Sequence, residues 1–314
     1  MAQRGGGCLK LVAALLSVAL VAVVAAGVAV VLRSQDGPAA SQDAAPEPQA
    51  FADYTWAQLS ELSAELSAAA SPEEATSLAA SRGVHVGDAR RIQLTDGTVV
   101  DVTVVGICAD ERADGSGKAG LTLMSSPVAL QPMNGEATNA GGWEASQLRS
   151  WLASEGLALL PPELAERVVS VTKRTNNVGV TSDAAAVTET TDALWAFSAS
   201  EVCGPLTWFS DEYGDTPSAQ TAYVDYTAYD KLLSSEGAQY AYFAEAGVTG
   251  GSDPSGVLAQ TLKGASTAWW YRTAYPYTFT GADESFFYQV MPTGFPSSVG
   301  DASTSAGVVV GFCL

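Results

Sequence analysis

The chain has 314 residues, and 47% of them are hydrophobic, which is enough to build a core in one large or two small domains. The formal net charge is −19, with 34 acidic residues against 15 basic ones. Because a surface of this charge repels phosphate backbones, we expect no nucleic-acid partner.

The first predicted element is a membrane-spanning helix over residues 11–32. These 22 residues carry no charge, and Ser17 is their only polar side chain. At about 1.5 Å per residue, such a helix reaches roughly 33 Å and covers a hydrocarbon core of about 30 Å. Arg4 and Lys10 precede the helix, so the positive-inside rule predicts a cytoplasmic tail at residues 1–10. We therefore expect a single-pass signal-anchor protein of the cell membrane, with its C-terminal part extracellular.

A cleaved signal peptide is the alternative for the same segment. The apolar region of such a peptide has about 7–15 residues and ends in small residues of the Ala-x-Ala type. Here the apolar run is longer and ends in Val-Val-Leu-Arg, with no small-residue site before the Ala-rich stretch that follows. An uncleaved anchor is therefore the favoured interpretation.

Residues 33–50 are predicted to form a flexible linker, because they are rich in Ser, Gln, Asp, Ala and Pro and have little to bury. A helical hairpin is predicted over residues 51–83. A Thr-x-x-Gln capping pattern begins its first helix, and Ser-Pro-Glu-Glu begins its second. The hairpin is expected to be a stalk for, or a cap on, one globular domain at 84–314.

Within the globular domain the hydrophobic period changes from helical spacing to two. Alternating residues on both sides of Asp96-Gly97 predict a β-hairpin. Further strands are predicted near residues 121–124, 169–173, 194–198, 269–273, 286–291 and 308–312. Helices are predicted near residues 144–154, 162–168 and 227–234. Since strands and helices neither alternate strictly nor segregate, the pattern favours an α+β fold.

An ordered series of short motifs is similar to that of a known family. The motifs include Leu94-Thr-Asp-Gly97, Asn139-Ala-Gly-Gly-Trp143, Lys173-Arg-Thr-Asn-Asn177, Glu201-Val-Cys-Gly204, Trp269-Trp-Tyr-Arg-Thr273 and Gly307-Val-Val-Val-Gly-Phe-Cys-Leu314. Together they resemble domain-of-unknown-function family 6273, common in surface proteins of Gram-positive bacteria, over about residues 85–314. That family is itself similar to C-type-lectin-like and formylglycine-generating-enzyme-like folds. The resemblance implies a C-type-lectin-like mixed domain that holds ligands on long loops, and it carries no established activity.

Aromatic residues in the stretch 203–263 and in the Trp-Trp-Tyr-Arg strand are the candidate ligand-binding residues. We select Tyr213, Tyr226, Tyr229, Tyr271 and Arg272, because aromatic side chains give large contact areas at low entropic cost. The structural alternative for Arg272 is an ion pair with a buried carboxylate.

The expected function is a membrane-anchored extracytoplasmic recognition or adhesion module. Its expected partner is a cell-wall or host glycan, a wall polymer or a surface protein. A hydrolase of cell-wall polymer and a structural subunit of a surface assembly are the two alternatives.

Catalytic and metal-binding patterns are scarce in the sequence. His85 is the only histidine, which disfavours zinc hydrolases and most acyl transfer. We therefore expect no catalytic residue, and a carboxylate-based hydrolase is the enzymatic alternative. No cofactor is expected, and calcium is the one metal considered. Two groups could supply its oxygen ligands, although neither follows the EF-hand pattern. They are Asp211, Glu212 and Asp215, or Asp110, Asp114 and Ser116.

Three cysteines, Cys108, Cys203 and Cys313, lie in the predicted extracellular part. They allow at most one intramolecular disulfide, and Cys203–Cys313 is the pairing considered. It would close a loop of about 110 residues, worth about 4–5 kcal/mol in the chain-entropy model. A buried, reduced set of thiols is the alternative.

Overall fold

The structure is a computed structural model that describes residues 48–219, 222–278 and 283–314. The predicted cytoplasmic tail, the predicted membrane helix and residues 33–47 of the predicted linker lie outside this part of the chain. Among the described residues, none of the helices has both the length and the apolar character needed to cross a bilayer.

Short helices and short strands make up the described part. The α-helices are α1 (Trp56–Ser67), α2 (Pro72–Ser81), α3 (Gln147–Trp151), α4 (Leu157–Leu159), α5 (Pro162–Ala165), α6 (Ala199–Cys203), α7 (Trp208–Tyr213), α8 (Tyr226–Ser234) and α9 (Ala241–Glu245). The strands are β1 (Ala89–Gln93), β2 (Val99–Ile107), β3 (Leu121–Ser125), β4 (Leu130–Pro132), β5 (Val171–Asn176), β6 (Val187–Asp192), β7 (Leu194–Trp195), β8 (Gln260–Leu262), β9 (Ala265–Thr267), β10 (Trp269–Ala274), β11 (Phe286–Val290), β12 (Ser298–Asp301), β13 (Ser305–Gly307) and β14 (Gly311–Cys313).

In the described residues, the strands form two five-stranded sheets and two hairpins. The first sheet has the order β1-β2-β3-β14-β7 and is antiparallel throughout. The second has the order β12-β11-β10-β13-β4, and its β10–β13 pair is parallel. β5 pairs with β6, and β8 pairs with β9. Mixed sheets with interspersed helices confirm the α+β class.

The helical hairpin of α1 and α2 is packed on the first sheet. Leu59 and Leu66 are buried in the same hydrophobic cluster as Leu121 of β3. The Ser63 hydroxyl donates to the carbonyl of Leu314 and accepts the N–H of Leu121 at 3.1 Å. The hairpin is therefore a cap on the sheet, and the alternative of a separate stalk is wrong.

The β1–β2 hairpin confirms the prediction from Asp96-Gly97. Gly97 has φ +87°, which a glycine adopts without strain. The Asp96 carboxylate accepts both the N–H and the hydroxyl of Thr98, at 2.8 and 2.9 Å. These local bonds set the register that pairs Ile92 with Val100.

Several predicted elements differ from the structure at their ends, among them one helix and one strand. The helix predicted at 144–154 begins only at Gln147, because Gly141 and Gly142 turn the chain with φ +82° and +53° and Ser146 supplies the cap. Of the strand predicted at 308–312, only residues 311–312 lie in a strand, and residues 308–310 link β13 to β14. β13 belongs to the second sheet and β14 to the first, so the residues between them carry the chain from one sheet to the other.

Strand β10 runs between the two main hydrophobic clusters, and all six of its residues are buried. Its alternation places Trp270 in the first cluster and Trp269 and Tyr271 in the second. The pairing with β11 shifts register after Trp270, and the Arg272 N–H instead donates to Phe197 O at 2.9 Å. The second cluster contains the buried aromatic residues of the long 203–263 segment.

Candidate functional site

Helices α7 and α8 hold the aromatic residues of the long segment in place. Asp230, buried on α8, accepts the N–H groups of Phe209 and Ser210, each at 2.9 Å. It thereby caps α7, because the side chain of the N-cap residue, Thr207, accepts no backbone N–H of the helix. Trp208 donates its indole N–H to Gly250 O at 2.7 Å. These contacts fix α7 against the body of the domain.

A pocket of about 600 Å³ lies between α7 and the strands β11 and β12. Its lining consists of Trp208, Phe209, Asp211, Glu212, Tyr213, Tyr275, Phe286, Tyr288, Ser297, Ser298 and Val299. A volume of 300–1,000 Å³ is the usual range for small-ligand sites, and such sites are lined mainly by apolar and aromatic groups with a few polar ones. We call this the aromatic pocket.

The rings of the aromatic pocket support one another. Trp208 lies over Tyr288 with ring centroids 4.6 Å apart, and Tyr275 lies 5.5 Å from the same tyrosine. Phe209 is buried 5.7 Å from Tyr275. Since Trp208 belongs to α7, Tyr275 follows β10 and Tyr288 belongs to β11, the pocket exists only in the folded domain.

Both charged side chains in the lining of the aromatic pocket are negative. Asp211 and Glu212 are exposed on α7, and Asp211 accepts the Thr207 hydroxyl at 2.7 Å. Burial raises the pKa of Tyr213, and its hydrogen bond with Glu212 raises it further. Burial likewise raises the pKa of Tyr288 well above its ordinary value, and Tyr275 and nearby carboxylates add to the shift. The pocket therefore presents neutral phenols and negative carboxylates to a ligand.

A second polar site is the buried network beneath β5 and β10. The Lys173 ammonium contacts Asp110 at 2.6 Å, Glu201 at 2.5 Å and the Tyr240 hydroxyl at 2.9 Å. Although burial favours the neutral carboxyl, Lys173 holds the pKa of Asp110 below its usual value. Arg272 and Lys173 do the same for Glu201, again against the effect of burial.

Glu236 differs from the other carboxyls of the network. Burial raises its pKa to about 7, and the opposing charge of Arg272 does not cancel the effect. One of its oxygens accepts the Asn176 N–H at 2.9 Å, and the other accepts the Thr273 hydroxyl. A cavity of about 450 Å³ is lined in part by Asp110, Lys173, Glu201, Glu236 and Tyr240.

One family model matches more than half of the chain. The family model described as "Domain of unknown function (DUF6273)" matches residues 119–314. The chain belongs to the DUF6273 family. Among curated proteins and among solved structures, the comparison found no match.

The DUF6273 match begins at β3, later than the start near residue 85 that the sequence motifs indicate. The capping hairpin, β1 and β2 therefore lie outside the matched segment. Every residue that lines the aromatic pocket lies inside it.

The candidate tyrosines of the 203–263 stretch lie together. Tyr213 lines the aromatic pocket, and Tyr226 stacks on it with centroids 4.6 Å apart. Tyr229 packs on Phe209 at 4.9 Å, in a second layer behind the lining. Asp211 lies on the rim, whereas exposed Asp215 follows the helix end and is not in the lining.

Tyr271 and Arg272 are fully buried, so the hypothesis that they contact a ligand is wrong. Arg272 donates to the two carboxylate oxygens of Glu201 at 2.5 and 2.9 Å, which confirms the structural alternative. The Tyr271 hydroxyl instead lies 3.6 Å from the Cys203 sulfur.

The proposed Cys203–Cys313 disulfide is also wrong. Cys108, Cys203 and Cys313 are free and buried. Cys203 lies in the second hydrophobic cluster, whereas Cys313 lies in the first, 3.4 Å from the Thr122 hydroxyl. The buried, reduced set is what the structure contains.

Neither candidate calcium group is assembled as a metal site. Within residues 48–219, 222–278 and 283–314, no three His, Cys, Asp or Glu side chains are grouped to hold a metal ion. Asp110 is engaged by Lys173, and Asp114 accepts Ser116 and Arg112 in its own loop.

Several lining residues were missed at the level of sequence. Phe286 and Tyr288 alternate with Phe287, which belongs to the first hydrophobic cluster. Their spacing of two in a strand was the available signal, because it places both rings on one face. Ser298 reaches the pocket through the β11–β12 pairing, and no local pattern marks it.

Proposed function

We propose that the chain is a non-catalytic recognition module, anchored to the membrane by its N-terminal segment, that binds its ligand extracytoplasmically in the aromatic pocket. The ligand would be presented by a glycan, a wall polymer or a surface protein. We also propose a C-type-lectin-like fold. The Gly-Gly-Trp turn before α3, the long segment 203–263 and a terminal strand with a neighbour on each side in its sheet support that assignment.

The aromatic pocket is the observation that carries the proposal. Six aromatic side chains line a volume of about 600 Å³. Rigid rings immobilise few rotatable bonds when a ligand docks, so their contact area contributes to affinity at low entropic cost. The rings of Tyr226 and Tyr229 support Phe209 of the lining from behind, with centroids 6.4 and 4.9 Å from it. The pocket therefore needs little rearrangement to accept a ligand.

The arrangement of the carboxylates in the pocket favours binding over glycoside hydrolysis. Hydrolases of this kind place two carboxyl groups on opposite sides of the scissile bond, about 5–10 Å apart. Asp211 and Glu212 are consecutive residues of α7, so they share one wall of the pocket. Both are exposed, which does not provide the desolvated site of a general acid.

A hydrolase is the second candidate, and one observation favours it. Glu236 lines the 450 Å³ cavity and has a pKa of about 7, in the range of a general acid or base that works near neutrality. However, both of its oxygens already accept hydrogen bonds from the protein, from Asn176 and Thr273. This occupancy is typical of a structural carboxyl, so we rank the hydrolase below the recognition module.

The proposal is tested by titrating the purified full-length chain with fractionated wall polymers, host glycans and surface proteins. Tyr275→Ala and Trp208→Ala should weaken binding about 10-fold or more, because each removes a ring from the site. Tyr223→Ala is the matched control, since this tyrosine is 72% exposed and outside the lining. If all variants bind as tightly as the wild type, the aromatic pocket does not take part in ligand binding.

Turnover decides between the two candidates in the same samples. Release of wall-polymer fragments by the wild type, abolished in Glu236→Gln, would establish the hydrolase instead. The anchor is tested separately by adding protease to intact cells, which should digest the chain beyond Arg33. Digestion only after lysis would place the globular region on the other side of the membrane.

A further inference from the structure

We propose that the aromatic pocket selects an organic cation with an alkylammonium group. This inference rests on the proposed function, because it names the ligand chemistry of the same site. Such an alkylammonium group has two possible sources, a small quaternary ammonium compound or a lysine side chain of a partner protein. A separate probe represents each source.

The aromatic walls of the pocket favour a cationic ligand. The face of an aromatic ring carries partial negative charge and attracts a cation within about 6 Å of its centroid, most strongly for Trp and Tyr. Trp208, Tyr275 and Tyr288 lie next to one another in the lining, with centroid distances of 4.6 and 5.5 Å between neighbouring rings. An alkylammonium group matches such a surface because its methyl or methylene groups pack on the rings while its charge interacts with their faces.

The charged side chains in and behind the lining of the pocket also favour a cation. Asp211 and Glu212, the charged members of the lining, are both carboxylates. Asp230 adds a third negative charge behind Phe209, and its oxygens are held by two backbone N–H groups of α7. None of these three carboxylates takes part in a salt bridge within the described residues. A cationic ligand would therefore complete the local charge balance, whereas an anionic wall polymer would be repelled.

The charge of the remaining chain acts in the same direction at longer range. Three of the 15 basic residues and none of the 34 acidic residues lie in positions 1–34, so the rest of the chain has a net charge of −22. A negative field raises the local concentration of cations and their association rate, and salt screens this effect. Affinity for the cation should therefore fall as ionic strength rises.

The test compares two probes of the same shape and different charge. Choline chloride and its neutral isostere 3,3-dimethyl-1-butanol are titrated into the full-length chain, with calorimetry and tryptophan fluorescence as readouts. Choline should bind at least about 10-fold more tightly, because the isostere keeps the contact area and loses the cation–π and carboxylate interactions. Equal affinities would overturn the cation inference.

Variants then assign the selectivity to the pocket. Asp211→Asn/Glu212→Gln should weaken choline binding about 3- to 10-fold and leave the isostere unchanged, as expected for charges at an exposed rim. The matched control is Asp215→Asn/Glu245→Gln, which removes the same two charges from exposed positions outside the lining. If the control weakens choline equally, only the overall charge matters and selection by the pocket is wrong.

A third probe distinguishes the two sources of the alkylammonium group. It is a short peptide with blocked ends in which one lysine is the only charged residue. Tighter binding of the peptide assigns the site to a protein side chain, and tighter binding of choline assigns it to a small quaternary ammonium compound. Neutral glycan binding that is lost in Tyr275→Ala, without cation binding, would overturn the cation inference and leave the recognition module standing. No pocket-dependent binding of any probe or fraction would overturn both.

Discussion

Arg272 and Glu201 form a bidentate ion pair with nitrogen–oxygen distances of 2.5 and 2.9 Å, and both side chains are buried. The Arg272 Nε–H donates to Thr175 at 2.7 Å, and its remaining donors reach backbone carbonyls such as that of Ala196 at 3.0 Å. One guanidinium thus connects β10 with β5 and α6. The ion pair therefore fixes α6, at whose C-terminal end the long aromatic segment begins, against β5 and β10.

Arg272→Lys should destabilise the fold by about 3–5 kcal/mol, because a lysine cannot reproduce the bidentate geometry and leaves Glu201 poorly compensated. Chemical denaturation at pH 7 measures the change in the free energy of unfolding. The control is Arg91→Lys at the exposed pair with Asp101, whose side chains are 79% and 57% accessible. There the expected change is below about 1 kcal/mol. A similar small effect at both sites would contradict a structural role for the buried pair.

Local signals were enough to predict the elements whose geometry is set by neighbouring residues. The capping box at Thr55 and the Asp96-Gly97 turn specify their own backbone bonds, and both are present. For Arg272 the ligand-binding hypothesis was wrong and the alternative, an ion pair with a buried carboxylate, was correct, since a buried arginine needs a partner. The identity of that partner, Glu201, depends on a contact 71 positions apart in a chain with 34 acidic residues.

The aromatic pocket was only half predictable for the same reason. Tyr213 and its neighbours cluster in sequence, so composition marked that wall. Tyr288 belongs to the distant strand β11. Asp230, on α8, caps α7 through a tertiary contact, because the N-cap residue of α7 makes no capping bond of its own. No periodicity shows which strand lies opposite a loop, because that is decided by packing of the whole domain.

Glu236 should make the unfolding free energy fall as the pH rises toward neutrality. Its folded-state pKa of about 7 lies above the ordinary value of 4.5, so the folded state binds a proton that the unfolded state releases. The resulting stabilisation is complete below about pH 4.5 and is lost by about pH 7, with a total of about 3 kcal/mol. Asp110 and Glu201 act in the opposite sense, since their lowered pKa values contribute stability that is lost only as the pH falls into the acidic range.

Glu236→Gln removes the titrating group while keeping the shape of the side chain. Urea unfolding at pH 5, 6, 7 and 8 should show a flatter profile for the variant than for the wild type, whereas exposed Glu245→Gln should follow the wild type. Parallel profiles for wild type and Glu236→Gln would show that another group titrates over this range.

The thiols of Cys203 and Cys313 should be inert in the folded protein, and the stability of the protein should not depend on reductant. Burial raises the pKa of Cys203 to about 12 and that of Cys313 well above its usual value. Because the thiolate is the reactive form, iodoacetamide at pH 8 should leave both unlabelled until urea unfolds the chain. Mass spectrometry of their peptides measures this, and dithiothreitol should leave the Tm unchanged. A reductant-dependent Tm, or a mass that requires a disulfide, would contradict the free thiols.

Gly250 provides a test of how α7 positions Trp208, with its neighbour Gly251 as the control. A Cβ at residue 250 would lie 2.7 Å from the Trp208 indole nitrogen, closer than real contacts allow, whereas one at residue 251 meets nothing within 4 Å. Gly250→Ala should therefore displace the indole from Gly250 O and from Tyr288, and weaken ligand binding about 3- to 10-fold. Gly251→Ala should bind as the wild type does. Tryptophan fluorescence follows the displacement and titration follows the affinity. If both variants bind equally well, the position of Trp208 does not determine recognition.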